Sequence, residues 1–170
     1  GDAPSPARAI LPIEPPPRLL AVSAGGRIAQ VRWEFAGQQP GPIDRFLPTG
    51  LDGDPIVSLL SLPSQNIDDL SLGLLSSDGR FKRLPLSEVV DLSGRATSVL
   101  KLKEGVELNS AVICRDQGTL VLISDIGRLL RLRINEESLP LMGRLAQGPM
   151  TMRLLPGEQI VGAVCTEQTP

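Results

Sequence analysis

Cationic side chains set in short apolar segments are the residues of this sequence best suited to chemistry. Arg128, Arg131 and Arg133 stand among leucines in SDIGRLLRLRI, residues 124–134. An arginine guanidinium is always charged, and its planar fork of donors suits phosphate oxygens. Contacts of this kind would give phosphate binding that depends on salt and is largely independent of base sequence.

The sequence lacks the residues and motifs that most enzymes use for catalysis. The sequence contains no histidine, which removes the commonest general base and zinc ligand. Cys114 and Cys165 lack CxxC spacing, so neither a zinc site nor a disulfide framework is expected, and a reducing cytoplasm is the predicted location. No GxSxG or GxxxxGK[ST] segment occurs. We therefore expect a protein without catalytic residues, metal or cofactor.

The composition favours a soluble β protein. Of the 170 residues, 41% are hydrophobic but only 2% are aromatic, so leucine, valine and isoleucine must build the core. Branched side chains pack well on pleated surfaces. The sequence has no apolar run long enough to span a membrane, so no membrane partner is expected. The formal net charge of -2 does not exclude a polyanion, since the field over one face matters more than the sum.

A three-fold repeat supplies the elements that would position the arginines. Gly-Arg occurs at 26–27, 79–80 and 127–128, with the glycines 53 and 48 residues apart. A period near fifty is typical of propeller blades and related β arrays. Each Gly-Arg lies between two apolar segments, and glycine tolerates the positive φ of a tight turn. Three β-hairpins are therefore predicted, with strands at 19–23 and 28–33, 72–76 and 81–86, and 119–124 and 129–134.

Each unit continues beyond its hairpin. GRATSVLKLKEGVELNSAV (94–112) aligns with GRLAQGPMTMRLLPGEQIVGAV (143–164), and each contains two further apolar segments around a turn. In the first unit, residues 55–62 and the segment near Ile67 take these places after a longer loop at 36–54. Four strands per unit are therefore predicted.

The repeats divide the chain into units at 18–67, 68–115 and 116–165. Six of the first 17 residues are proline, which cannot donate to a sheet ladder and favours an extended coil. Residues 1–17 are therefore predicted to be a linker or tail, and residues 166–170 a C-terminal tail.

Strand periodicity predicts a charged face on each hairpin. Side chains alternate across a strand, so Arg131 and Arg133 share one face of 129–134 while Leu130 and Leu132 share the other. Arg83 occupies the place of Arg131 in the second unit. One face is thus expected to carry positive charge while the opposite face packs inward.

The repeated hairpin with a basic second strand, together with LPLMGRLAQGPMTMRLLPGEQIVGAV (139–164) and its Gly-Glu-x-Ile, resembles the C-terminal domain of type IIA bacterial topoisomerases. This family comprises the A subunits of gyrase and their topoisomerase IV counterparts. The resemblance covers residues 18–165. It implies an all-β β-pinwheel, a propeller-like disc whose blades exchange strands, with about three four-stranded blades in this chain.

The resemblance also implies a function. The chain would be a non-catalytic module that binds and bends or wraps duplex DNA on a basic outer rim and so assists changes of DNA topology. Its partners would be double-stranded DNA and the rest of the A subunit, with its ATPase partner subunit; a homodimer is one way to complete the disc. The segment GQQPG (37–41) has no positive charge and is not accepted as the basic box with which gyrases start a wrap. Bending and wrapping, and gyrase and topoisomerase IV, therefore stay open as alternatives.

Nine cations are the predicted DNA contacts: Arg32, Arg80, Lys82, Arg83, Arg95, Arg128, Arg131, Arg133 and Arg144. Two other interpretations stand beside this one. The arginines could form a solvated strand face paired with acids in the loops, and those directly after a turn glycine, Arg27, Arg80 and Arg128, could anchor their turns through backbone carbonyls. The alternative function is a propeller-like scaffold for protein interactions without affinity for DNA.

Overall fold

The computed structural model describes residues 16–92 and 94–167. The predicted tail at 1–17 lies almost wholly outside these residues, as do the last three residues of the chain. The described residues form ten β-strands, three short 3-10 helices and no α-helix. None of the helices in this part of the chain is long and apolar enough to cross a membrane.

All strands pair in antiparallel sheets of three or four. The strands are β1 (Arg18–Ser23), β2 (Arg27–Val31), β3 (Ile56–Leu62), β4 (Leu70–Ser76), β5 (Phe81–Pro85), β6 (Thr97–Ser98), β7 (Leu108–Arg115), β8 (Thr119–Ser124), β9 (Leu129–Arg133) and β10 (Ile160–Thr166). The 3-10 helices are Trp33–Phe35, Ile43–Phe46 and Leu86–Glu88.

The three sheets, named here blades 1, 2 and 3, have the strand orders β3-β1-β2-β6, β5-β4-β7 and β10-β8-β9. Each contains one predicted hairpin: β1–β2, β4–β5 or β8–β9. The turn glycines Gly26, Gly79 and Gly127 have φ values of 81°, 92° and 79°, a region that side chains disfavour. The predicted all-β pinwheel is confirmed.

The prediction of four regular strands in every unit is wrong. Of the segment expected to form a strand at 98–102, only Ser98 belongs to a strand, the two-residue β6, and the segment at 150–155 contributes one isolated bridge, between Met150 and Arg80. Neither pairs within its own unit. β6 pairs with β2 of blade 1, and Met150 lies beside the outer edge of blade 2.

We call residues 94–102 and 143–154 the crossing segments. Each hydrogen-bonds to the turn of the preceding blade: Val99 N–H donates to the Gly26 carbonyl at 2.9 Å, and Thr151 N–H donates to the Gly79 carbonyl at 3.0 Å. A strand edge presents unpaired backbone groups. The crossing segments satisfy those of the preceding hairpin, so each unit completes the blade before it.

The first unit differs from the other two. Residues 55–62 form β3 as predicted, but the segment near Ile67 is a turn, with Asn66 at a φ of 58°. The loop at 36–54 folds back on blade 1 and does not cross to another hairpin. It buries Leu47 and Leu51 in one cluster with Ala21 and Ala29.

Both faces of a blade pack against neighbours. We call the face that contains Val22, Leu75 or Ile123 the front, and the opposite face the back. The front of blade 1 shares a buried cluster with the back of blade 2, and the front of blade 2 shares one with the back of blade 3. The predicted division into one charged and one buried face therefore fails for blade 2, because its sheet lies between two others.

The front of blade 3 has no blade against it among the described residues. Its apolar side chains are exposed: Ile123 by 41%, Leu129 by 62% and Val164 by 59%. The equivalent residues Leu75 and Phe81 of blade 2 are fully buried. Within the described residues, strand β9 is also an edge strand, since β8 is its only neighbour in the sheet there.

Candidate nucleic-acid interface

The arginine after the turn glycine of blade 3 is held by a buried carboxylate. Glu158 accepts hydrogen bonds from Arg128 Nε at 2.8 Å and Nη2 at 2.6 Å, from Ser124 Oγ at 2.5 Å and from Leu155 N–H at 2.9 Å. These bonds, led by those of Arg128, lower the pKa of Glu158 to about 2 although burial opposes the shift. Arg128 also donates to the Arg153 carbonyl. The Arg128 guanidinium therefore stabilises the turn of the blade 3 hairpin against residues 153–158.

Blade 1 repeats the arrangement with Asp54. This carboxylate accepts from Ser23 Oγ at 2.6 Å, from Gly25 N–H at 2.8 Å and from Arg27 Nε at 3.0 Å. Burial would raise the pKa of Asp54, but these hydrogen bonds outweigh it and hold the pKa below its ordinary value. Arg27 also donates to the Gly50 carbonyl.

Blade 2 lacks the carboxylate, because Val106 stands at the equivalent position. Arg80 Nη1 donates instead to the Gly148 carbonyl at 2.9 Å, and Nε lies 3.4 Å from the Asp78 carboxylate. The arginine after each turn glycine therefore bonds a backbone carbonyl, as the turn-anchor interpretation required. Arg80 and Arg128 have this structural role whether or not they also meet DNA.

Lys82 lies inside the molecule. Its side chain is on the back of blade 2, the residue is 1% exposed, and Nζ donates to the carbonyls of Val99 at 2.6 Å, Ala146 at 2.9 Å and Arg144 at 3.0 Å. Burial lowers the pKa of Lys82 to about 8. The expectation that Lys82 lies on the rim is wrong, because both crossing segments close over it.

Arg83 is also buried, on the front of blade 2, where the residue is 2% exposed. Its Nε donates to the Leu139 carbonyl at 2.6 Å, and Nη1 lies 2.9 Å from the Asp116 carboxylate and Nη2 3.6 Å from that of Glu136. The expectation that Arg83 faces solvent is wrong, since the residues that flank the blade 3 hairpin cover it. Alternation within β5 could not reveal this covering layer.

The other five predicted contacts are exposed, and no ion pair is found for them within the described residues: Arg32, Arg95, Arg131, Arg133 and Arg144. Arg32 follows β2, and Arg95 lies in the crossing segment that completes the same blade. Together they line a groove of about 480 Å³ with Gln30, Pro48 and Thr49. The described lining of this groove contains no carboxylate.

Two further pairs of cations lie at blade 3. Arg131 and Arg133 line a shallow depression of about 210 Å³ on β9. Arg128 and Arg153 line another of about 460 Å³. Arg153 was not among the predicted contacts. When the two crossing segments are aligned on Gly105 and Gly157, Arg153 takes the same position as Lys101. A cation that recurs at this position in both segments is the sequence signal that would have predicted Arg153 as a contact.

Comparison with known proteins gives the family. Residues 74–115 and 118–167 match the family model described as DNA gyrase C-terminal domain, beta-propeller. The chain is 27% identical over 150 residues to the DNA gyrase A subunit of Granulibacter bethesdensis, covering 84% of this chain and 16% of that protein. It is 26% identical over 120 residues to the DNA gyrase A subunit of Synechocystis sp., covering 71% and 14%. The chain thus spans about a sixth of the length of these relatives.

Solved structures show the same fold. The DNA gyrase A C-terminal domain superimposes with a TM-score of 0.73 at 21% identity, covering 88% of this chain and 47% of that one. The C-terminal domain of DNA topoisomerase IV gives 0.70 at 17% identity, covering 89% and 48%. These matches confirm the predicted resemblance. Since the family model covers more than half of its residues, the chain belongs to the DNA gyrase C-terminal domain family of β-propellers.

Proposed function

We propose that this chain is a non-catalytic, DNA-binding module of a gyrase- or topoisomerase IV-like A subunit. The observation that carries the proposal is the groove of Arg32 and Arg95. Two exposed arginines from different units line this groove together with residues of β2, and no carboxylate is found in its described lining. Such a site suits phosphate oxygens, which guanidinium groups bind in pairs of hydrogen bonds.

Similar cations recur along the outer strands. Arg131 and Arg133 lie on β9, and Arg144 and Arg153 lie in crossing segment 143–154, which completes blade 2. All four are exposed. Contacts repeated along a curved rim favour bent DNA, because the added contacts offset the elastic cost of bending. The buried Lys82 is left out of this interface.

The net negative charge does not oppose the proposal. Several carboxylates form ion pairs with cations that have a structural role: Asp54 pairs with Arg27, Glu158 with Arg128, and Asp116 with Arg83. The exposed arginines of the rim have no such neighbour among the ion pairs of the described residues. A field of positive sign over the rim is thus compatible with an acidic chain.

The test is binding of a duplex oligonucleotide as salt is raised. The logarithm of the binding constant should fall linearly with the logarithm of salt concentration. The double substitution Arg32→Ala/Arg95→Ala should lower the magnitude of this slope by about two, roughly one unit for each lost phosphate contact.

The matched control is Arg45→Ala/Lys103→Ala, which removes the same charge from exposed positions outside the groove and should change the slope less. If the wild-type chain does not bind at low salt, or binds independently of salt, the DNA proposal fails. If the control costs as much as the test variant, the groove is not the site.

The finer proposal is that the bound DNA is bent, or wrapped with a handed supercoil, and that the module works beside the ATPase partner and the rest of the A subunit. Relaxing or ligating plasmid with the chain bound, and then measuring linking number, distinguishes the two modes. A handed shift supports wrapping. Retained binding without a shift leaves bending or simple docking.

A protein-interaction scaffold is the second candidate. The observation that favours it is the exposed apolar front of blade 3, with Leu129 exposed by 62% and Val164 by 59%. Contiguous exposed apolar surface often marks a protein contact. Absence of DNA binding at low salt, in a chain that is folded by circular dichroism, would favour this candidate over the first.

A further inference from the structure

Two cysteines meet where blades 2 and 3 pack together. Cys114 lies on β7 and is fully buried, while Cys165 lies on β10 and is half-buried. Their sulfur atoms are 2.9 Å apart, and both are free thiols in this structure. The spacing of 51 residues in sequence gives no hint of this proximity.

The separation of the two thiols is fixed by regular structure. Cys114 is paired with Ser71 of β4, and Cys165 is paired with Leu120 of β8. Cys114 belongs to the cluster buried between the blades, and Cys165 packs against it. A disulfide requires sulfurs about 2.05 Å apart, so closing the bond takes a movement of about 0.9 Å.

A small reagent can reach the pair from one side. Cys165 lines a cavity of about 350 Å³ together with Pro63, Ile113, Arg115 and Glu167. Cys114 has no such exposure, and its hydrogen bond with the Cys165 sulfur, together with burial, raises the pKa of its thiol. Cys165 is thus the sulfur that an oxidant meets first, and Cys114 is the resolving sulfur behind it.

We propose that Cys114 and Cys165 form an oxidant-responsive disulfide that locks blade 2 to blade 3, with hydrogen peroxide or another small peroxide as the oxidant. The Cys165 thiolate attacks one peroxide oxygen, the O–O bond breaks, and a sulfenic acid and one water result. The Cys114 sulfur then attacks the sulfenic sulfur and displaces its oxygen as a second water. Two thiols lose two electrons and two protons, and the peroxide gains them.

The cross-link has a structural consequence. The disulfide closes a loop that contains β8, β9 and crossing segment 143–154. Constraining a loop of this length in the unfolded chain stabilises the folded one, and for a protein of this size the melting temperature should rise by about 5–10 °C. In a reducing compartment the bond would be transient and would report exposure to oxidant.

The test uses the whole chain treated with hydrogen peroxide and then with an alkylating reagent. We expect both thiols to become protected together, the intact mass to fall by two hydrogens, and a peptide map to link the segments that hold Cys114 and Cys165. The melting temperature should rise by about 5–10 °C and return on addition of dithiothreitol.

The matched controls are Cys114→Ala and Cys165→Ala. Each removes one partner, so peroxide should leave a sulfenic or more oxidised acid on the remaining thiol, or nothing, and should not raise the melting temperature. The wild-type result alone can overturn the proposal. It fails if both thiols stay open to alkylation, if only Cys165 is oxidised, or if the disulfide joins two chains.

Discussion

Blades 2 and 3 are built from hairpins of one pattern, yet their second strands have opposite surroundings. In β5, Phe81 and Arg83 are 0% and 2% exposed. The equivalent residues of β9, Leu129 and Arg131, are exposed, Leu129 by 62%. The hairpins themselves do not differ in register, since each pairs residue for residue across its turn.

The difference lies in the neighbours of each hairpin. Blade 2 is covered in front by blade 3 and at its edge by a crossing segment, whereas neither covering is found for blade 3 within residues 16–92 and 94–167. The same arginine position is thus a buried hydrogen-bond donor in blade 2, as Arg83, and an exposed side chain in blade 3, as Arg131. Equivalent positions of similar strands thus have different environments, because the neighbouring unit covers one of them and not the other.

The largest expected effect separates Arg83 from Arg131. Arg83→Ala should lower the free energy of unfolding by about 2–4 kcal/mol, because the Leu139 carbonyl and the Asp116 carboxylate lose a buried partner. Arg131→Ala, the matched change on β9, should stay within about 0.5 kcal/mol. Urea unfolding followed by circular dichroism measures both. Equal losses would show that the two blades do not differ in this way.

The next effect concerns the back of the same strand. Lys82→Met keeps an unbranched side chain that is one atom shorter but leaves the three carbonyls without their donor, and should cost about 1–3 kcal/mol. The equivalent residue of blade 3 is Leu130, and Leu130→Met should cost less than about 1.5 kcal/mol. Thermal melts of the two variants test the contrast. A Lys82→Met chain as stable as wild type would mean that the carbonyls find water.

A smaller effect is tied to pH and to the turn of blade 3. The pKa of Glu158 is about 2, below the ordinary 4.5, so its carboxylate adds stability above about pH 4.5 and loses it as pH falls towards 2. Stability of the wild type should therefore drop more steeply across that window than that of Glu158→Gln. The two curves should converge near pH 2, and parallel curves would contradict the assignment.

The smallest effect on folding should come from the exposed arginines of β9. Arg131→Ala/Arg133→Ala should leave the melting temperature almost unchanged and lower the magnitude of the salt slope for duplex binding by about two. The control is Arg45→Ala, an exposed cation in the loop at 36–54 that folds back on blade 1. If the double variant binds with an unchanged slope, β9 takes no part in the interface and the charge there is only solvated.

Local pattern was enough to predict the hairpins. The turn glycines and the apolar segments beside them are contiguous in sequence, and β1, β2, β4, β5, β8 and β9 all lie where these signals placed them. The last strands of the second and third units were also found, as β7 and β10. In the first unit the strand predicted at 55–62 is β3, but the last strand, predicted near Ile67, is a turn. The resemblance to the family rested on the same local features.

The rest depended on contacts between units. Alternation placed Arg83 and Arg131 alike, and only the docking of blade 3 separates them. The crossing segments looked like strands of their own units because their periodicity does not say which edge they join. Cys114 and Cys165 offered no spacing signal, since a distance across two sheets is not encoded in local order.

The crossing segments also bear on how such a chain can be cut and rejoined. A repeat of about fifty residues is contiguous in sequence, but the piece that stands as a finished blade is a hairpin with its last strand plus part of the next repeat. Removing residues 116–167 would strip Arg83 of Leu139 and Lys82 of two of its three acceptors. A boundary for expression, fusion or shuffling is therefore best placed after the crossing segment that completes the last blade, and not at the end of the repeat that contains its hairpin.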